Sequence, residues 1–375
     1  MRLNRREAVA GGIALAGLAS APARAAATGF PHAAYARAIV LDGLGGFSDP
    51  YGKDDDARFS ARGAAELRQS GTTAIHLSVN EVGNEPGTWD KTIANIAQLD
   101  QIVADNADLL VHAKSVADIR AAKASRRIAL YYGVQDTSLI GTELDRLALL
   151  KSLGVRIVQL TYNLRNLAGD GSLEPGNAGL SKLGRATIAR IEKEKLLLDL
   201  SHGGQRTIAE AIAAATRPPI ISHTGARALN DNPRNVGDAD MRACAQKGGV
   251  IGVYWMPFLV ANGRPTGADL VAHMTHVRNV CGEDHVAIGT DGVIGKTVID
   301  EKVRAAQRKA FEDRRKRDVA APGEGPDVFT IVAEWDDHMR FKHLADGLAR
   351  AGWTTGQIEK ALGANLLRLY GEVWV

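Results

Sequence analysis

Between Leu196 and Thr224 the chain reads LLLDLSHGGQRTIAEAIAAATRPPIISHT, and its two histidines, His202 and His223, end matching Ser-His pairs. Each pair closes an apolar run, with an alanine-rich amphipathic stretch between them. A run, a helix and a second run in so few residues make a βαβ unit with parallel strands. Both imidazoles then emerge at one sheet edge, where they can serve as paired ligands for zinc or a similar ion. A lone buried histidine is ordinarily a satisfied core residue; the repeated Ser-His ending is what favours the ligand reading. A third candidate, Asp291, leaves a β-rich run into the glycine turn of GTDG. An aspartate there can simply cap the turn. As a functional group it would ligate the metal or carry a proton between attacking water and leaving amine. His76 falls within an expected strand, from which it could enter the barrel as a replacement ligand. His273 and His276 share one helical face and read as solvated.

Holding such groups at one edge requires a run of parallel strands. Strands are expected at Ala38 to Asp42, Thr73 to Val79, Ile128 to Val134, Ile157 to Thr161, Leu196 to Leu200, Ile220 to Ser222, Val250 to Tyr254 and Val286 to Gly289. Helical segments alternate with them: Ala61 to Gln69, Thr92 to Ala104, Glu143 to Ser152, Lys182 to Lys195, Gln205 to Ala215, Ala239 to Lys247 and Ala268 to Val280. Eight strands each followed by a helix, without a switch in composition, point to a closed (β/α)8 TIM-type barrel over 28–375 rather than a doubly wound open sheet. The residues at the strand carboxyl ends are then Leu44, Gly45 and Gly46, Gln135 and Asp136, Tyr162 and Asn163, His202, His223, Trp255 and Asp291. Asp300 to Asp318 is a strongly charged helical insertion after the last barrel strand. It reads as a solvated surface helix over the mouth or side, with a lid as the alternative. Helices at Asp327 to Ala351 and Thr355 to Tyr370 should complete the outer layer.

Met1 to Ala27 combines Arg5-Arg6, an uncharged stretch from Ala8 to Ala19, and Ala23-Arg24-Ala25 as a small-x-small cleavage site. This is the pattern of a twin-arginine export signal and implies a periplasmic or secreted protein. The signal carries four arginines against Glu7, so its removal takes the formal charge of +3 to about zero and leaves no electrostatic case for a nucleic-acid partner. No apolar run of the mature region is long enough to anchor it in a bilayer. Cys244 and Cys281 read as two buried thiols rather than a disulfide, and two cysteines cannot build a cysteine-only metal site.

The motifs DLSH, IISHTGARAL, DNPRN, LTYN, GLSKLGR, GTDG and LGANLLRLY, in this order-rich set, resemble the renal or membrane dipeptidase family of zinc peptidases over nearly the whole mature chain. The resemblance implies a barrel of the metal-dependent hydrolase kind, hydrolysis of dipeptides, and a homodimer. It makes His202 and His223 the ligands of the second zinc and Asp291 a ligand of the first that also shuttles the proton. It gives Arg234 the substrate carboxylate, which a guanidinium fork suits. The chain departs from the family where a His-x-Asp pair should follow the first strand, since Leu44-Gly45-Gly46 stands there. The metal-bridging glutamate aligns with Gln135, and a substrate-contacting histidine with Tyr162. What remains, His202, His223 and Asp291, implies one zinc rather than two, with an open position for water. Gln135 and Tyr162 would then donate to the developing oxyanion, Tyr162 and Trp255 would flank the substrate beside Arg234, and Asp136 could replace Asp291 as base. Two other outcomes fit the same residues: a barrel that binds a peptide or amino-acid-like ligand without cleaving it, or a mononuclear hydrolase of a lactone or non-peptide amide.

Overall fold

Eight parallel strands follow one another around the molecule in sequence order: β1 Leu41–Asp42, β2 Ala74–Ser78, β3 Ile128–Val134, β4 Val155–Gln159, β5 Leu197–Asp199, β6 Ile220–Thr224, β7 Val250–Val253 and β8 Val286–Ile288. The computed structural model describes residues 29–53, 56–83 and 86–375, so the export signal expected in Met1 to Ala27 lies outside the described residues. Each strand pairs in parallel with the next. The seam between β1 and β8 is bridged without a ladder. Gly43 N donates to Ile288 O at 2.8 Å, and Thr290 donates to the Asp42 carboxylate through both its N (2.8 Å) and its Oγ1 (2.6 Å). Farther out, Gly46–Phe47 pairs in parallel with Val293–Ile294. The nearly closed (β/α)8 barrel expected from the alternation is the observed fold.

The barrel closes because its strands bury both faces. Leu41, Ala74, Ala129, Tyr131, Ile157 and Leu197 form an inner layer with residues of the later strands, while Ile128, Leu130 and Tyr132 face the helices. The C-terminal helix Asn365–Val373 sends Leu366, Leu369 and Tyr370 into that inner layer and plugs the end of the barrel away from the strand carboxyl termini. Tyr131 Oη, which donates to Asp42 O, lies 2.9 Å from Tyr370 Oη. Gly133 in β3 is a glycine for a reason of space: a Cβ there would come within 1.9 Å of His76 Nε2.

The structure departs from the expected elements in three places. A short strand Leu110–His112 and a helix Val116–Ser125 lie between β2 and β3, so that crossover holds two helices. The helix expected from Asp327 begins only at Arg340, after a loop with a single 3-10 turn at Ala333–Trp335. The insertion forms a helix at Glu301–Lys316 with no buried residue, yet one face of it roofs the barrel mouth.

Candidate functional site

His223 lies within β6 and is fully buried; His202 follows β5 by three residues, 4% exposed, with a left-handed φ of 61°. That turn aims its ring at its neighbour, the two centroids being 4.9 Å apart and the planes at 61°. Hydrogen bonds settle both tautomers. Asn163 Nδ2 donates to Val319 O, which turns Asn163 Oδ1 toward His202, whose Nδ1–H donates to it at 2.6 Å. Ser222 Oγ donates to the Asp199 carboxylate, so His223 Nδ1–H donates to Ser222 Oγ at 2.8 Å. Each Nε2 is therefore a bare lone pair, buried and without a partner. Burial holds both imidazoles far below the ordinary histidine value, with Arg234 adding to the effect, and both are neutral. His76 in β2 repeats the pattern: Nδ1–H donates to Gly43 O at 2.7 Å, Nε2 is unpartnered, and burial lowers its pKa to about 4.

Arg234, on the loop after β6, is 2% exposed, and neither its Nε nor its Nη2 has a hydrogen-bond partner. The Tyr254 ring, 5.7 Å from the guanidinium carbon, is its nearest aromatic support. Arg234 lines a cavity of about 260 Å³ with His202, Tyr162 and Asp291. Tyr162 stacks on His202 at 4.1 Å. The roof comes from the insertion. Arg314 of Glu301–Lys316 grips Glu324 with two bonds of 2.7 and 2.8 Å and donates to Tyr162 Oη at 3.3 Å. The reading of this segment as a solvated surface helix is thus corrected: Ala310, Phe311 and Arg314 face the cavity.

Neutral imidazoles held through the other ring nitrogen are what zinc takes as ligands, so the two Nε2 atoms of His202 and His223 suit it. The remainder of the expected set does not assemble. Among the described residues no three His, Cys, Asp or Glu side chains stand together closely enough to hold a metal ion. Asp291, expected as the third ligand, leaves β8 with a left-handed φ of 53° and belongs with Arg234 and Arg314, whose charges act on its carboxyl. Leu44 and Gly46 supply no donor and Gln135 only a neutral amide. The residues present therefore do not make the expected one-zinc site of His202, His223 and Asp291.

The other expected site residues are partly dispersed. Gln135 lines a second cavity, of about 370 Å³, which also reaches Asp291, so the two expected oxyanion donors, Tyr162 and Gln135, stand in different cavities. Trp255 is 2% exposed and packs against Trp335 and Phe341, with Arg340 over its ring; it lines neither of these cavities. Asp136 is an anchor for loops, accepting from Gly83 N, Ser138 and Asn166. His273 is 2% exposed rather than solvated, accepting from Ala226 N and donating to Leu259 O, whereas half-buried His276 meets Asp238 at 2.8 Å. Cys244 and Cys281 are free.

Residues 59–305 match the membrane dipeptidase family, peptidase family M19. An uncharacterized protein in the pqqA 5′ region of Klebsiella pneumoniae is 31% identical over 290 residues, covering 74% of this chain and 94% of its own. The dipeptidase tcpJ of Claviceps purpurea is 25% identical over 286 residues, 75% of this chain, which spans 60% of that relative. A crystal structure of an amidohydrolase from Pseudomonas aeruginosa superposes with a TM-score of 0.76 at 28% identity, covering 91% of this chain and 98% of the other.

Proposed function

The chain belongs to the membrane dipeptidase family of metallopeptidases, and from that premise we propose that it is an exported hydrolase of a small amide bearing a free carboxylate, as a dipeptide does. The observation that carries this reading is Arg234. A buried guanidinium whose Nε and Nη2 meet no hydrogen-bonded acid is costly, and a substrate carboxylate entering the cavity would supply a second negative charge beside Asp291 and two hydrogen bonds. With the carboxylate so held, the scissile amide reaches Asp291. There the carboxylate takes a proton from water as its oxygen adds to the carbonyl carbon. The same proton passes to the leaving nitrogen as the C–N bond breaks, giving a carboxylic acid and an amine. His202, neutral and lining the cavity with a bare Nε2, can accept a hydrogen bond from the attacking water or the leaving amine, and the Tyr162 hydroxyl can donate to the carbonyl oxygen.

Amine release from a dipeptide panel by the purified protein tests the reading. Turnover should fall by about thirtyfold or more when the terminal carboxylate is replaced by an amide, or when Arg234 is changed to Lys. Cleavage indifferent to both changes would sink it. Metal content belongs to the same experiment: zinc near one per chain, lost in a His202→Ala, His223→Ala double variant, would add a metal to the scheme. The short donor set favours a second reading, a barrel that binds such ligands without cleaving them, and binding without turnover would select it. Export and a homodimer are part of the proposal. Cell fractionation, and scattering measurements on the purified protein, check them.

A further inference from the structure

Where the family resemblance places a His-x-Asp pair, this chain has small or apolar residues beside open space. Leu44, Gly45 and Gly46 line the cavity of about 370 Å³, which shares Asp291, Gln307 and Thr330 with the cavity of Arg234. The two are lobes of one site under the mouth helix, with Asp291 at the junction. Their characters differ. The Arg234 lobe holds the unpartnered guanidinium. The second lobe has an apolar wall made by Leu44, Leu77, Val293, Phe329 and Ile331, together with a neutral polar side of Ser78, Gln135, Thr297, Gln307 and Thr330. Beyond Asp291 that lobe contains no carboxylate, and its one charged group is a cation, Arg340, already paired with Asp336 at 3.1 Å.

A dipeptide carries an ammonium at the end away from its carboxylate. With the carboxylate on Arg234 and the amide at Asp291, that ammonium would enter a lobe with an apolar wall and no carboxylate beyond Asp291 to pair with, a costly placement. An uncharged acyl chain would instead remove apolar surface from water there. Resting on the carboxylate reading of Arg234, we propose that the substrate class is N-acyl amino acids: the carboxylate lies on Arg234, the amide lies between Asp291 and Gln135, and the acyl chain fills the lobe opened by Leu44-Gly45-Gly46. Hydrolysis adds water across the amide and releases a fatty or other apolar carboxylic acid from this lobe and a free amino acid from the Arg234 side.

Calorimetric titration of the full-length protein with a series from N-acetylglycine to N-dodecanoylglycine tests this, with glycylglycine and the matching N-acylglycinamides as controls. Affinity should rise by roughly fourfold per methylene until the lobe is full, and glycylglycine should bind more weakly than N-hexanoylglycine. Val293, which is 39% exposed and lines the lobe, can take a larger side chain at little cost to the fold. In Val293→Trp the rise should stop at a shorter chain. Equal affinity across the series in the unaltered protein, or tighter binding of glycylglycine, would overturn the acyl-chain assignment while leaving Arg234 in its role. Acylglycinamides binding as tightly as acylglycines would instead overturn the carboxylate reading, with the chain-length dependence still reporting on the lobe.

Discussion

Asp291 is the residue on which the chemistry turns. Burial raises its carboxyl to about 6, against the opposing pull of Arg234 and Arg314. A base works only once deprotonated, so the hydrolytic rate should climb as pH passes through about 6 and stay level above it. His202 and His223, held far below their ordinary value, should add no further limb between pH 6 and 8. Asp291→Asn should abolish the rise and lower kcat by roughly 10²- to 10⁴-fold; a flat pH profile in the unaltered enzyme would remove Asp291 from this role. His202, His223, Asp291 and Tyr162 were legible because residues at strand ends converge whatever the helices do. Arg234 sits on a loop and was found only through its motif. Arg314 was not legible, since in RRKR one inward arginine looks like its solvated neighbours. Trp255 misled because a strand-end position places a backbone, whereas the indole turned into the aromatic cluster of Trp335 and Phe341.

The mouth helix Glu301–Lys316 is built to be only marginally stable where it lies. Asp300 caps it by accepting from Val303 N, and Arg314, Arg315 and Lys316 suit its C-terminal end. A helix of this length has little stability of its own in water, and none of its residues is buried. What holds it is polar: Gln307 to Gly325 O and Val328 O, Arg308 to Asp327, and Arg314 to Glu324. Its amides should therefore exchange with solvent orders of magnitude faster than those of β3, and slow when a ligand fills the cavity beneath. Hydrogen exchange read by mass spectrometry checks both statements; protection equal to that of β3 would make the helix a fixed roof rather than a lid. The strands and most helices were legible from apolar runs and their spacing. Leu110–His112 was not, because three residues at the edge of β3 carry too short a pattern. The stretch 327–339 was read as helix for lack of strong breakers, but its side chains are taken up in loop contacts such as Asp336 with Thr297 and Arg340.

At the scale of the molecule the weak line is the seam. Seven parallel ladders hold the barrel, whereas β1 and β8 are joined by Gly43 to Ile288 and by the Asp42 carboxylate held by Thr290, with Asp291 N to Leu44 O and the pairing of Gly46–Phe47 with Val293–Ile294 beyond them. Asp42 is fully buried with no ion-pair partner among the described residues, and burial raises its carboxyl to about 7 despite the hydrogen bonds from Thr290. In an unfolded chain the same group titrates near 3.9. Across roughly pH 4 to 7 the native state therefore holds a proton that the unfolded chain has given up, so this group makes stability fall as pH rises through that window and leaves it flat above. Asp291 and Asp199 are shifted in the same direction, so the contribution of Asp42 is isolated only by difference. Urea midpoints measured at pH 4.5 and pH 8 should differ less in Asp42→Asn than in the unaltered protein. Thr290→Val, which deletes the Oγ1 donor and leaves a buried carboxylate oxygen unsatisfied, should cost about 1–3 kcal/mol, more at pH 8, where the carboxylate is charged, than at pH 4.5. Equal costs at the two pH values would mean that Asp42 stays in one protonation state throughout.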